Sequence, residues 1–417
     1  MTTTMQTISL VLFVVALLHT FSTRLFEVLA HRNPRHAGLF HLLGEVEVVF
    51  GFWAFVLILC MAFVDGGAAA VDYVESRHYT EPLFVFVVMV VAASRPVLET
   101  ARALVRMLAR LAPVRDEVAQ TWLGLALLPL CGSLITEPAA MTLAALMLAP
   151  AVFRPGMPER LKYGALGVLF VNVSIGGTLT SYAAPPVLMV AGAWGWDSAH
   201  MLTHFGWRAA LAVLVNASVI TLLMRPHLRP LDASVEGESA VPVPPLVALI
   251  HLGFLTAVVL LAHHPVLFLG LFLLFLGFTQ AYQRYQDPLV LKEALLVGFF
   301  LGGLVVLGGM QQWWLQPLIS GLDATELFFG ALALTAVTDN AALTYLGSLI
   351  SGLSAQAQYM LVAGAVAGGG LTVIANAPNP AGAALLRRGF QDEAIGALGL
   401  LLGALGPTCA AAVLFLL

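Results

Sequence analysis

The sequence predicts an all-α polytopic membrane protein built from two inverted-topology repeats. Each repeat is expected to hold about five transmembrane helices, one re-entrant hairpin and one discontinuous helix. Three observations carry this prediction: a composition that only lipid solvates, an internal duplication, and the placement of positive charge between the apolar runs.

Of the 417 residues, 60% are hydrophobic and 10% charged, with a mean hydropathy of +0.92. A water-soluble domain carries roughly a quarter charged residues, so lipid is the main solvent. Apolar runs at about 8–23, 48–64, 209–224, 245–262, 265–279, 289–310 and 394–417 approach or exceed the ~20 residues that cross a hydrocarbon core. Strand-type alternation is absent, which leaves helices as the spanning element. Residues 1–7 lack Lys and Arg and no small-residue cleavage site follows, so the first run reads as a transmembrane helix rather than a leader. A net charge of −4 gives no reason to expect nucleic acid as a partner. Cys60, Cys131 and Cys409 lack metal spacing and read as buried free thiols. The GxxxxGK[ST], GxGxxG and HExxH signatures are missing, so neither an enzyme nor a bound cofactor is expected.

The duplication shows in three ordered matches. Glu81-Pro82-Leu83 matches Asp287-Pro288-Leu289, and the segment Thr136–Thr142 (TEPAAMT) matches Thr338–Thr344 (TDNAALT). The eleven residues from Gly176 to Pro186 match those from Gly368 to Pro378 at six identical positions. The halves are therefore 1–228 and 244–417, joined by a cytoplasmic linker at 229–243 that carries Asp232, Glu236 and Glu238. The first half is expected to hold a hairpin at about 120–150 and a broken helix at about 165–192. The second is expected to hold them at about 324–352 and 358–386.

Loop charge sets the orientation. With each hairpin re-entrant, a half crosses five times, and an odd number turns the second half upside down. Placing the loop at 24–40 inside then leaves only Arg77 and Arg208, of 19 basic residues, on the outer side. Both termini are expected outside.

Inverted repeats of this kind place a transported solute near the midplane, where interrupted helices meet. Unwound backbone is tolerated at that depth only where it lines a cavity or binds something. Pro138 after Glu137, and Asp339-Asn340, interrupt apolar stretches, as do Gly176-Gly177-Thr178 and Gly368-Gly369-Gly370. Oxygen-bearing side chains stand around the breaks: Thr136, Thr142, Thr178 and Thr180 in the first half, and Thr338, Asn340, Thr344, Thr372, Asn376 and Asn379 in the second. Hydroxyl, amide and carbonyl oxygens with a carboxylate suit a hard cation such as sodium, and Glu137, Asp339 and Asn340 are the candidate sodium ligands. Glu137 and Asp339 are also the proton-coupling candidates, since an ionisable group at depth is costly and usually functional. The plainer reading makes either acid a helix cap. Elsewhere, Glu45 and Glu47 are expected to face water or an Arg, and Arg95 and Glu99 to pair along a helix. His263-His264 reads as a solvated turn, Trp194, Trp196, Trp207 and Trp313-Trp314 as interfacial aromatics, and Gly302, Gly303, Gly308 and Gly309 as a close-packing surface.

Asp339-Asn340 followed by Gly-Gly-x-Leu-Thr and Asn-x-Pro resembles the ion transporter superfamily, in its ArsB/NhaD-like branch. The likeness is closer still to the bacterial proteins grouped as sodium/proton antiporters. It covers roughly residues 80–400, with specific motifs over about forty residues. The resemblance implies a secondary active transporter in a bacterial inner membrane, working as a homodimer with an elevator-like movement. Its cargo would be a monovalent cation and a proton. The two hairpin tips and two broken-helix loops would enclose the ion. Glu137-Pro138 departs from the Asp-Asn usual in the first hairpin, which breaks strict symmetry of the site. Other readings of the same scaffold are a sodium-coupled symporter or a carrier of oxyanions or organic anions. The absence of Lys or Arg near the four motif loops argues against a multiply charged anion. No nucleophile–base spacing supports an intramembrane enzyme.

Overall fold

The computed structural model describes residues 3–229 and 241–417, and within these every regular element is helical. Of the linker expected at 229–243, residues 230–240, with Asp232, Glu236 and Glu238, lie outside the described residues.

The first half opens with α1 (Thr3–Phe21) and α2 (Val46–Val64). Then come α3 (Thr80–Ala92) and α4 (Arg95–Leu111), bent by 64° at the two residues between them. Next are α5 (Asp116–Leu125) and α6 (Leu127–Ile135), bent by 42°, and α7 (Glu137–Ala151), which returns along α6. The half closes with α8 (Glu159–Gly176), α9 (Pro185–Trp194) and α10 (Trp207–Met224). A π turn at Leu202–Gly206 joins α10 to the short helix Ser198–Met201.

The second half holds α11 (Pro245–Leu260), α12 (Pro265–Ala281) and α13 (Leu291–Gly308). After these come α14 (Ala324–Thr335), α15 (Asn340–Ser348), α16 (Ala355–Gly368), α17 (Asn379–Leu386) and α18 (Ala397–Leu416). Among the described residues, five segments are long and apolar enough to cross a membrane: α1, α2, Ser198–Met224, α13 and α18, or up to seven if each bent pair is one span.

Local chemistry sets these boundaries. Pro245 and Pro265 open α11 and α12, where a missing N–H costs nothing. Asp323 and Glu326 close a reciprocal capping box on α14: Asp323 Oδ1 accepts from the Thr325 and Glu326 amides, and Glu326 Oε2 from the Asp323 amide. Helix pairs then meet backbone to backbone at small residues, the means of close packing where lipid supplies no hydrophobic drive. Gly303 of α13 lies on the Phe50–Gly51 backbone of α2, and Gly167 of α8 on Gly403–Ala404 of α18. Gly364 of α16 seats on the Phe328 carbonyl of α14. A Cβ on Gly302, by contrast, would meet open space. A buried amide pair adds polar fixing: Asn216 Nδ2 donates to Asn172 Oδ1 (3.0 Å), and Asn172 Nδ2 to the Leu125 carbonyl (2.8 Å).

Several local expectations change. Cys60 and Cys131 are half-buried and Cys409 is exposed, so the thiols are free but not buried; a lipid-facing helix has no reason to hide an apolar side chain. Glu45 faces water, as one of its two readings had it, and the base beside it is Lys292, Nζ at 3.8 Å. Trp196 is buried and stacked on His200 (4.8 Å) rather than lying free at an interface. Arg95 and Glu99 do pair, at 2.6 Å.

Candidate functional site

Four interruptions of helix converge from the two halves. In the first hairpin, α6 stops at Ile135 and α7 starts at Glu137, with Thr136 between them at φ 72° and ψ 152°. That combination is nearly confined to glycine, and a β-branched residue there is strained. Pro138 in the first turn of α7 gives up no useful donor. The second hairpin breaks over residues 336–339, and Asp339 caps α15: its Oδ1 accepts from the amides of Ala341 (2.8 Å) and Ala342 (3.1 Å). The acids aligned in sequence therefore differ in setting. Glu137 is the first residue of its helix, whereas Asp339 stands one residue before its own, where Asn340 is first.

The two broken helices supply the facing surface. The first runs from α8 through the tight turn Gly177–Leu179 to α9, the second from α16 through residues 369–378 to α17. Each is laced to the hairpin of its own half by a threonine. Thr180 Oγ1 donates to the Ser133 carbonyl (2.7 Å), and Thr372 Oγ1 to the Ala336 carbonyl (2.9 Å). Each hairpin tip also meets the opposite half, α7 against α17 and α15 against α9.

The centre is a polar network. Glu137 is fully buried, and its Oε2 accepts from Asn376 Nδ2 (2.9 Å). The Asn340 amide N–H donates to the Ala375 carbonyl (3.1 Å), and Asn340 Nδ2 to Ser174 Oγ (3.3 Å). Ser174 spends its own proton on the Val366 carbonyl (2.8 Å), so toward Asn340 it accepts. Asn379 Nδ2 donates to the carbonyls of Gly369 (2.8 Å) and Thr372 (2.9 Å). Each side-chain amide thus commits at least one N–H to the protein. What remains are buried oxygens without a partner: Glu137 Oε1, Thr136 Oγ1, Thr335 Oγ1, and the Oδ1 atoms of Asn340, Asn376 and Asn379. Buried acceptors normally find donors. A cluster of them with one carboxylate is the donor set of a hard cation. No Lys, Arg or His pairs with Glu137 or Asp339 among the described residues.

Glycine makes the approach possible. A Cβ on Gly177 would strike Glu137 Oε1, and one on Gly369 would overlap Ser174 Oγ. Gly176, Gly368 and Gly370 lie as tightly against the Pro129 carbonyl, the Leu332 carbonyl and Val171.

Other sequence candidates serve the backbone. Thr142, Thr178 and Thr344 donate to the carbonyls of Pro138, Ile175 and Ala341 within their own turns. Thr338 is half-buried in the loop before Asp339. Sequence reasoning missed Ser174, Ser133 and Thr335. Ser174 had a signal, as a hydroxyl in an apolar stretch two residues before a Gly-Gly break.

Cavities approach from opposite ends of α3 and α13. One of about 240 Å³ is lined by Glu45, Glu47, Met89, Pro138, Thr142 and Pro378. At the other end, cavities of about 650 and 540 Å³ share Glu81 and Gly192, the first reaching Ser181 and the second Tyr345.

Over residues 4–417 the chain matches the family described as "Putative Na+/H+ antiporter". It belongs to that family. No match is found among the curated proteins. As a member of this antiporter family with spans distributed along its length, the chain is a multi-pass membrane protein whose implied cargo is sodium ions and protons.

Proposed function

We propose that the protein exchanges sodium for protons at a single site, with Glu137 as the group that holds either. The observation that carries this reading is the state of Glu137: fully buried, one oxygen bonded to Asn376, the other unpartnered. A bare charge at this depth without a counter-ion is costly. A proton or a sodium ion removes it, and one excludes the other, which is the chemistry of exchange. The Oδ1 atoms of Asn340, Asn376 and Asn379, with Thr136 Oγ1, would supply neutral ligands. Asp339, with one oxygen spent on its cap, adds negative field and completes the candidate set.

Alternating access completes the proposal. The halves 1–228 and 244–417 act as inverted repeats, and the hairpins with the broken helices slide as one body against the rest, as in the wider ion transporter superfamily. A homodimer in a bacterial inner membrane, with both termini outside, fits this scheme. The cavities at opposite ends of α3 support it, because each ends on a hairpin or broken-helix residue.

The test is proton flux in proteoliposomes given a sodium gradient. Glu137→Gln keeps shape and the amide contact, and is expected to abolish sodium-driven flux. Asn376→Ala removes a hydrogen bond to a charged group, of about 1.5–3 kcal/mol, and is expected to weaken apparent sodium affinity roughly tenfold or more. Wild-type exchange in Glu137→Gln would overturn the assignment.

A further inference from the structure

The exchange reaction makes no use of α4, yet this helix is the most unusual surface of the molecule. Arg95–Leu111 carries Arg95, Arg102, Arg106 and Arg110 against a single acid, Glu99, and turns 64° away from α3. A helix so charged does not lie among acyl chains.

Its charges divide into two groups. At the start Arg95 is satisfied by Glu99, and its Nη2 donates to the Val241 carbonyl (2.8 Å). Just beyond the end, Arg115 meets Glu117 at 3.2 Å. Between Glu99 and Asp116 the sequence holds no acid. Arg102, Arg106 and Arg110 recur at every fourth position there, and Arg106 and Arg110 are exposed. Neither Arg102 nor Arg110 has an ion-pair partner among the described residues.

A helix advances about 100° per residue, which gives α4 three flanks. Val105 and Ala109 are buried, and α4 packs against α5 and α11. The arginine row occupies the next flank. Roughly 130° further round from it stand Leu104, Met107 and Leu111, exposed by 42%, 53% and 75%. One flank to protein, one basic and one apolar and open is the pattern of a helix lying in the membrane interface.

We propose that α4 lies in that interface, its apolar flank toward the acyl chains, and that Arg102 and Arg110 bind the headgroup phosphates of anionic phospholipids. Arginine suits the role because its planar fork takes phosphate oxygens two at a time. The helix joins α3, which lines the cavities at both ends of the site, to α5, the first arm of the hairpin that carries Glu137. Bound lipid would pin that junction to the membrane surface.

The experiment uses full-length protein in neutral detergent, with thermal unfolding followed after adding phosphatidylglycerol or phosphatidylcholine. Phosphatidylglycerol is expected to raise the wild-type midpoint by a few degrees above phosphatidylcholine. High salt should shrink that difference. The double variant Arg102→Gln, Arg110→Gln is expected to lose the increment while keeping its midpoint in phosphatidylcholine, and the double Arg→Lys variant to keep part of it. Should the double Gln variant fail to fold, the single variants Arg102→Gln and Arg110→Gln are each expected to lose part of the increment. An increment unchanged in the Gln variants overturns the proposal. So does an equal fall in both lipids, which would mean that these arginines serve the fold of the chain itself.

Discussion

Thr136 sits where the backbone conformation belongs to glycine, and its hydroxyl oxygen is buried without a partner. Strain of this kind costs on the order of 1–3 kcal/mol and persists where the surroundings over-determine it. Here the surroundings are the end of α6, the start of α7 and the buried Glu137 beside it. Thr136→Gly should therefore raise the thermal midpoint while lowering apparent sodium affinity, because relief of strain and loss of an oxygen ligand act on different observables. Thr136→Ala should lose affinity without the gain. Equal sodium affinity in both variants and wild type would remove Thr136 from the site. Residue identity alone did not separate Glu137 from Asp339: both are acids at aligned positions, yet one is fully buried with a free oxygen and the other caps a helix.

At the scale of the element, the broken helices are held open by contacts that tolerate no side chain. Gly369 follows α16 where the chain passes Ser174 and Asn340, and a methyl group there would occupy the space of the Ser174 hydroxyl. Gly369→Ala is expected to separate Asn340 from Ser174 and to release Asn379, whose amide is anchored on the Gly369 carbonyl. Overpacking of this kind costs about 1–3 kcal/mol, so we expect a chain that folds with a lower midpoint and loses sodium-driven flux. Flux at the wild-type rate would show that this contact does not shape the site. The breaks themselves were legible, since Gly-Gly and Pro within apolar runs are poor helix interiors. The one-residue difference between the hairpins was not legible. It depends on how far α14 continues before it turns, and a local motif does not encode that.

For the whole molecule, the arrangement of cavities is decisive. The space beside Glu47 and Pro138 lies at the ends of α3 and α13 opposite to the space beside Glu81 and Tyr345. In a background lacking Cys60, Cys131 and Cys409, Ala381→Cys and Ala193→Cys place thiols in these two regions. A membrane-impermeant thiol reagent is expected to label them from opposite faces of the membrane, and sodium should change the two rates in opposite senses. Labelling of both from one face would contradict alternating access through these cavities.

The solvent, the helical class, the duplicated motifs and the positions of the breaks could all be read along the chain. Each of these rests on composition or short-range pattern: apolar length against bilayer thickness, and glycine or proline against helix propensity. Which oxygens remain unpartnered depends on the folded chain. Thr142, Thr178 and Thr344 looked like equal candidates in the sequence but spend their protons on their own turns. Asn340 and Asn376 each turn an N–H to an acceptor brought from the other half, and Asn379 turns its N–H groups to carbonyls of its own broken-helix loop, which leaves all three side-chain oxygens unpartnered. Hydrogen-bond satisfaction is a property of who meets whom across the fold, so a linear pattern names the ligand types but not the ligands.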